Sequence, residues 1–259
     1  MENNSITTYS TGKQGTVPDA NLASSLCQEL KATDTDCPEI FKSVKVLTDA
    51  DEERELAIVF LDIRNFTSLM ESQASTEIIN VVRRLFTAFN QIIDNFKGKV
   101  VETAGDSLYA VFGLTTAIKE AVGNAYNATK MIFETINWFN IVYAVPQYGY
   151  PLNIGTGLHT GKVLVGNFSL DENNKLSVMG LPVNIASRLQ AQTKELNNDM
   201  IVSEEAYSLL EVEDQLHEKR TISLKGLSFK QTVRLAGKPY FAAISNQRSD
   251  FDYLLAISG

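Results

Sequence analysis

The chain of 259 residues is poor in the residues that cross-link, chelate zinc or enter membranes. It has two cysteines, Cys27 and Cys37, and no CxxC or Cys/His spacing. Neither a disulfide framework nor a zinc centre is indicated, and a reducing cytosol is the expected compartment. No apolar run reaches the ~18–20 residues that a membrane-spanning helix needs. The first 18 residues are polar and lack the apolar centre of a signal peptide. Positive charge is also short: 23 Lys and Arg stand against 31 Asp and Glu, a net charge of −8. That balance argues against nucleic acid or an anionic membrane as the main partner. What is present is a composition 44% apolar, enough for a core. The length fits one large domain, or one domain with extensions at both ends.

Two acidic residues stand out against that background. Six of the seven residues from Leu56 to Asp62 are apolar, so this strand reads as buried on both faces. Asp62 interrupts it, and a charge there is costly unless it is paired or binds a metal. Arg64 is the one obvious cation beside it. Further on, Val100-Val101 and Leu108–Phe112 read as two short strands, with Ala104-Gly105-Asp106 as a tight hairpin turn. Asp and Gly are ordinary turn residues, so Asp106 alone says little. If the hairpin lies beside the first strand, however, Asp62 and Asp106 converge. Two carboxylates suit Mg²⁺ or Mn²⁺, usually together with substrate phosphates.

The remaining pattern is regular. Residues 1–50 form an N-terminal extension, polar at first and then carrying a short helix over 19–32 with Leu22, Leu26 and Leu30 on one face. Residues 51–237 form the core domain, and 238–259 are a C-terminal tail. Within the core, Thr76–Phe96 repeats apolar residues at helical spacing and Lys97-Gly98 stops it. Thr115–Val145 reads as one long helix. Leu152–Gly166 reads as a strand with many glycines, partnered by Leu170–Met179 through an Asn173-Asn174 turn. Pro182–Leu196 is a helix with Pro near its start, and Ser203 is a helix cap. Strands over 216–224 and 232–235 close the domain around Lys225-Gly226. The fold class is α+β, with a ferredoxin-like βαββαβ core, extra C-terminal strands and an N-terminal helical extension. That order puts the first strand beside the hairpin. Palm-type polymerases share the arrangement, and fold alone does not decide function.

A second constellation lies in Gly180-Leu-Pro-Val-Asn-Ile-Ala-Ser-Arg-Leu189. Asn184 and Arg188 are four apart and share a helix face. An amide and a guanidinium fork suit a sugar oxygen and a phosphate, though a solvated polar face would look the same. Ile185 and Leu189 serve the opposite, core side.

Four segments together resemble the catalytic domain of class III nucleotidyl cyclases. They are Phe60-Leu-Asp-Ile-Arg-Asn-Phe-Thr67, Glu102-Thr-Ala-Gly-Asp106, Gly155-Thr-Gly-Leu-His-Thr-Gly161 with Val165-Gly166, and Val183-Asn-Ile-Ala-Ser-Arg188. They occur in the family order and spacing, over about two thirds of the chain. Diguanylate cyclases share the architecture, but no GG(D/E)EF turn is present. The resemblance implies a head-to-tail homodimer with active sites at the interface. Asp62, Asp106 and the Ile63 carbonyl would hold two ions, Mg²⁺ or Mn²⁺. Backbone amides at Asn65, Phe66 and Thr67, with Lys225, would bind the phosphates of a nucleoside triphosphate. Asn184 and Arg188 would come from the other subunit and act on the ribose and the α-phosphate. The product would be a 3′,5′-cyclic nucleotide and pyrophosphate. Asn65 stands where the family usually has Gly, and Asn tolerates left-handed backbone.

The two base-reading positions of the family fall on Glu102 and Ser177. A carboxylate repels the N1 acceptor of adenine but accepts from guanine N1–H, uracil N3–H or the cytosine amine. ATP is therefore disfavoured. The chain carries no recognisable sensor, receiver or membrane module, and in this it resembles the stand-alone pyrimidine cyclases of bacterial anti-phage signalling. The expectation leans to UTP as the substrate of a cytoplasmic second-messenger synthase. GTP follows closely, then CTP. A catalytically silent nucleotide-binding regulatory module is the non-enzymatic alternative.

Overall fold

The structure is a computed structural model, and it describes residues 52–66, 70–71, 75–167, 176–211 and 217–240. The expected helix over 19–32, the Asn173-Asn174 turn and most of the C-terminal tail lie outside the described residues. The described residues belong to one compact unit.

The unit opens with strand β1 (Glu52–Ile63), helix α1 (Ser75–Asn95), β2 (Gly98–Ala104), β3 (Ser107–Phe112), α2 (Ile118–Phe139) and β4 (Ile154–Gly166). This is the expected βαββαβ order. There follow β5 (Ser177–Met179), α4 (Leu181–Glu195), β6 (Met200–Ser203), the one-turn α5 (Glu204–Tyr207), β7 (Glu218–Ser223) and β8 (Lys230–Leu235). The strands form one sheet in the order β2-β3-β1-β4-β6-β8-β7, with β5 on the far end of β4. β1 is central and pairs antiparallel with both β3 and β4. Its position beside the hairpin is the one the sequence required.

Alternation along β1 sorts the two faces. Ala57, Val59, Leu61 and Ile63 pack into the main core with α1 and α2. Leu56 and Ile58 point the other way, into a smaller cluster with Tyr109, Val111, Val163, Val178 and Ala186 of α4. Phe60 and Asp62 belong to this second face, and Phe60 packs against that cluster. The sheet is therefore covered by helices on both sides, which is why the β1 sequence shows an apolar run rather than alternation.

The long helix expected over 115–145 is corrected. α2 ends at Phe139, a wide π-type turn spans Asn140–Ala144, and a short helix α3 (Val145–Tyr148) follows. Asn140 explains the break. Its side chain donates to the Leu152 carbonyl and accepts from the Leu152 amide, both at 2.8 Å. That pairing holds the turn against the lead-in to β4. Pro146 lacks an amide hydrogen and so cannot continue the regular ladder. Ser203 caps α5 as expected, accepting from the Ala206 amide at 3.3 Å. Among the described residues, no helix is long and apolar enough to cross a membrane.

Candidate active site

Register places two rows of side chains across the second face of the sheet. Asp62 lies opposite Ser107 in β3 and Gly155 in β4. Two residues back along β1, Phe60 lies opposite Tyr109 and Gly157. Directly opposed residues in a sheet point to the same side. Each row therefore runs over β3, β1 and β4.

The hairpin delivers the second carboxylate. Gly105 adopts φ +61°, and a Cβ there would meet nothing within 4 Å, so backbone conformation alone asks for glycine. The Ile63 amide donates to the Asp106 carbonyl at 3.1 Å and ties the turn to the end of β1. Burial, then the neighbouring Asp62 charge, pushes the Asp106 carboxyl above the usual carboxylate range. The two acidic groups thus converge as expected. Ile63 itself is buried.

Asp62 is held from two sides. Its Oδ1 accepts from Ser107 Oγ at 2.7 Å, and Arg64 Nη1 lies 3.6 Å from its Oδ2. Arg64 is in turn built into the fold. Its Nη2 donates to the Gln190 carbonyl at 3.1 Å and to Thr193 Oγ1, both at the end of α4. Its Nε donates to the Tyr240 hydroxyl at 3.4 Å, and the Tyr240 hydroxyl donates to the Ile154 carbonyl at 3.0 Å. The guanidinium occupies the space a side chain would take at Gly155. Sequence reasoning missed Ser107 and Tyr240. Ser107 was within reach of it, because the residue after the turn must face the end of β1.

Beyond Arg64 the chain turns. Asn65 adopts φ 58°, the left-handed conformation that glycine would supply there. Phe66 is half-buried against the main core. Thr67 lies outside the described residues.

Glu102 reaches the second face through an irregularity. β2 and β3 pair regularly to Val100↔Ala110, then the register shifts and Glu102 opposes Tyr109. Were Val101 paired in register with Tyr109, Glu102 would oppose Leu108 and point into the helix-covered core. The bulge turns it over. Its row then reads Glu102–Tyr109–Phe60–Gly157. Tyr109 and Phe60 stack at 4.6 Å with 6° between planes. Ser177 starts β5 opposite Gly166. The next residue, Val178, shares the apolar cluster of Tyr109, so alternation along β5 turns Ser177 away from that cluster.

Asn184 and Arg188 sit on α4, whose Ile185 and Leu189 are buried as expected. The helix rests on β4 at its glycines. A Cβ at Gly157 would collide with the Gln190 amide and lie 2.5 Å from the Ala186 carbonyl, and one at Gly161 would lie 2.7 Å from Pro182 Cγ. Asn184 is exposed. Arg188 Nη1 is buried and has no hydrogen-bond partner among the described residues. Its guanidinium packs on Gly226, where an added Cβ would lie 3.2 Å from Nη1. Gly226 has φ 76°, and the exposed Lys225 precedes it in the same turn. Arg188 and Lys225 are thus neighbours. Among the described residues, no hydrogen bond or ion pair joins Asn184, Arg188 or Lys225 to Asp62 or Asp106. Within one chain, among the described residues, the α4 pair with Lys225 and the two carboxylates are thus not joined.

The Asp62–Asp106 pair offers an oxygen-only donor set. No third His, Cys, Asp or Glu joins it to complete a metal cluster among the described residues. Such a pair fits hard cations that keep open positions for water or phosphate, such as Mg²⁺.

Comparison with known proteins bears on the family and the fold. Residues 48–237 match the family described as the adenylate and guanylate cyclase catalytic domain. Adenylate cyclase 1 of Rhizobium meliloti is 26% identical over 151 residues, which are 58% of this chain and 22% of that protein. A Mycobacterium tuberculosis protein is 25% identical over 187 residues, 71% of this chain and 33% of that protein. The chain thus spans about a fifth to a third of these relatives. Among solved structures, the adenylyl cyclase CyaB from P. aeruginosa superposes with a TM-score of 0.63 at 23% identity, over 73% of this chain and 97% of that one. The guanylyl cyclase Cya2 gives 0.65 at 23% identity, over 74% and 96%. With the strand order, the convergent carboxylates and a match over most of its length, the chain belongs to the adenylate and guanylate cyclase catalytic domain family.

Proposed function

We propose that this chain cyclises a nucleoside triphosphate to a 3′,5′-cyclic nucleotide and pyrophosphate. The observation that carries the reading is the convergence of Asp62 and Asp106 at the end of β1. Asp62, Asp106 and the Ile63 carbonyl are the groups to hold two divalent ions, Mg²⁺ or Mn²⁺. Bound there, such ions would acidify a ribose hydroxyl and neutralise phosphate charge. The chain's own residues supply the positioning. Backbone amides at Asn65–Thr67 and the Lys225 ammonium receive the phosphates. Asn184 orients the ribose, and Arg188 steadies charge on the α-phosphate. The ribose 3′-oxygen bonds to the α-phosphorus, the bond from that phosphorus to the β-phosphate bridging oxygen breaks, and the hydroxyl proton leaves to solvent.

The α4 pair and the two carboxylates, read as half-sites, call for two copies. In a head-to-tail homodimer, Asn184 and Arg188 of one subunit complete the carboxylates of the other. The unpartnered Nη1 of Arg188 supports this reading.

Glu102 and Ser177 read the base. Glu102 is an acceptor and disfavours adenine. We take UTP as the substrate and a signalling role in anti-phage defence as its use, with GTP as the runner-up. The test is purified protein with Mn²⁺ and each of the four triphosphates, with products resolved by chromatography. Cyclic UMP is expected. Predominant cyclic AMP would overturn the base assignment. Nucleotide-induced thermal shifts without any product would establish a regulatory module instead.

A further inference from the structure

Tyr109 carries a group that packing does not explain. The residue is 7% exposed, and its hydroxyl is buried with no hydrogen-bond partner among the described residues. Its ring already packs among Leu56, Ile58 and Val111 and stacks on Phe60. Phenylalanine would make the same contacts and leave no orphaned hydroxyl. A buried polar group without a partner is destabilising, and native structures keep few of them. The position of this one is informative. Tyr109 stands directly across from Glu102 in the bulged register, on the face that carries Asp62. The Tyr109 side chain therefore stands on the same face as Glu102, its direct neighbour across the strands. Burial and the nearby Glu102 charge both push its pKa up, so it stays protonated and able to donate.

We propose that the Tyr109 hydroxyl is a third base-reading group, donating to a ring carbonyl of the nucleobase while Glu102 accepts from the N–H next to it. An adjacent N–H and C=O form the amide edge common to uracil and guanine. Adenine and cytosine carry a ring acceptor and an amine at that edge instead. The pair thus selects oxo bases by one acceptor and one donor in a row, which Glu102 alone does not. The inference rests on the assignment of Glu102 as a base reader.

The test uses 3′-deoxy analogues of UTP, GTP, CTP and ATP, which lack the attacking hydroxyl, with Mn²⁺. Affinities are measured by calorimetry on the wild-type chain and Tyr109→Phe, with thermal unfolding alongside. Wild type should bind the uracil and guanine analogues more tightly than the other two. Tyr109→Phe should lose about tenfold on those two, the worth of one hydrogen bond, and stay within about twofold on cytosine and adenine. Its melting temperature should be unchanged or higher. If wild type discriminates and Tyr109→Phe binds all four as wild type does, the Tyr109 assignment fails while the Glu102 reading stands. An equal loss on all four, or a lower melting temperature, makes the hydroxyl structural and also overturns it. Absence of any oxo-base preference in wild type overturns both.

Discussion

Gly157→Ala probes how α4 is seated. The added methyl would lie against backbone rather than a side-chain tip: the Gln190 amide and, at 2.5 Å, the Ala186 carbonyl. Ordinary contact begins near 3.4 Å, so α4 must lift by about 1 Å or the two strands beneath must yield. Overpacking of this kind costs about 1–3 kcal/mol. In a domain of this size that corresponds to a fall of roughly 3–10 °C in melting temperature. Asn184 and Arg188 ride on the displaced helix, and a misplacement of about 1 Å costs on the order of 100-fold in turnover. Circular dichroism would follow the melt and confirm that secondary structure is retained, and product chromatography would follow the rate. Gly123→Ala is the control. It lies in α2, where a Cβ meets nothing within 4 Å, and should stabilise by about 0.5–1 kcal/mol. A Gly157→Ala protein with wild-type melting and wild-type turnover would refute the close seating of α4.

Two further outcomes are expected. Asp106→Asn should abolish cyclisation while melting at or above the wild-type temperature, because it removes a charge disfavoured by burial and by Asp62; a marked fall in stability would instead make Asp106 a structural residue. His159 is buried, with Nδ1 2.8 Å from Ser203 Oγ, and burial lowers its pKa to about 4. A depressed histidine favours the neutral form in the folded state. Its contribution is therefore complete above the unfolded value near 6.5 and is lost as pH falls towards 4, amounting to about 3 kcal/mol. Denaturant titrations from pH 7 to 4 should show a shallower loss in His159→Gln than in wild type, and equal slopes would contradict the assignment.

Where local chemistry and periodicity decide the structure, the sequence was enough. Asp62 announces itself by breaking an apolar strand, Ala104-Gly105-Asp106 is a turn by composition, and Asn184 with Arg188 follows from helical spacing. Contacts that depend on distant partners were not legible. The break after Phe139 depends on Asn140 finding Leu152; Asn140, Ile141, Val142 and Pro146 weaken the helix locally, but none of them names that distant partner. Arg64 appears in the sequence only as a neighbour of Asp62, yet in the fold it also ties the end of α4 and Tyr240 to that carboxylate. The glycines of β4 read as a strand weakened by its own composition. They are in fact the bed on which a helix lies.

The irregular pairing at Val101 separates two jobs that the chain must do with one hairpin. The turn end is pinned to Ile63, so the Asp106 backbone is fixed in place. Further along, the strands pair through a dislocation, where a side chain at 102 meets solvent. Substitution at that one point can therefore remodel the second face while the turn beside Asp62 stays as it was. Losing the bulged residue would leave Glu102 across from Tyr109 and remove only the irregularity, whereas pairing Val101 in register would turn the acid into the core.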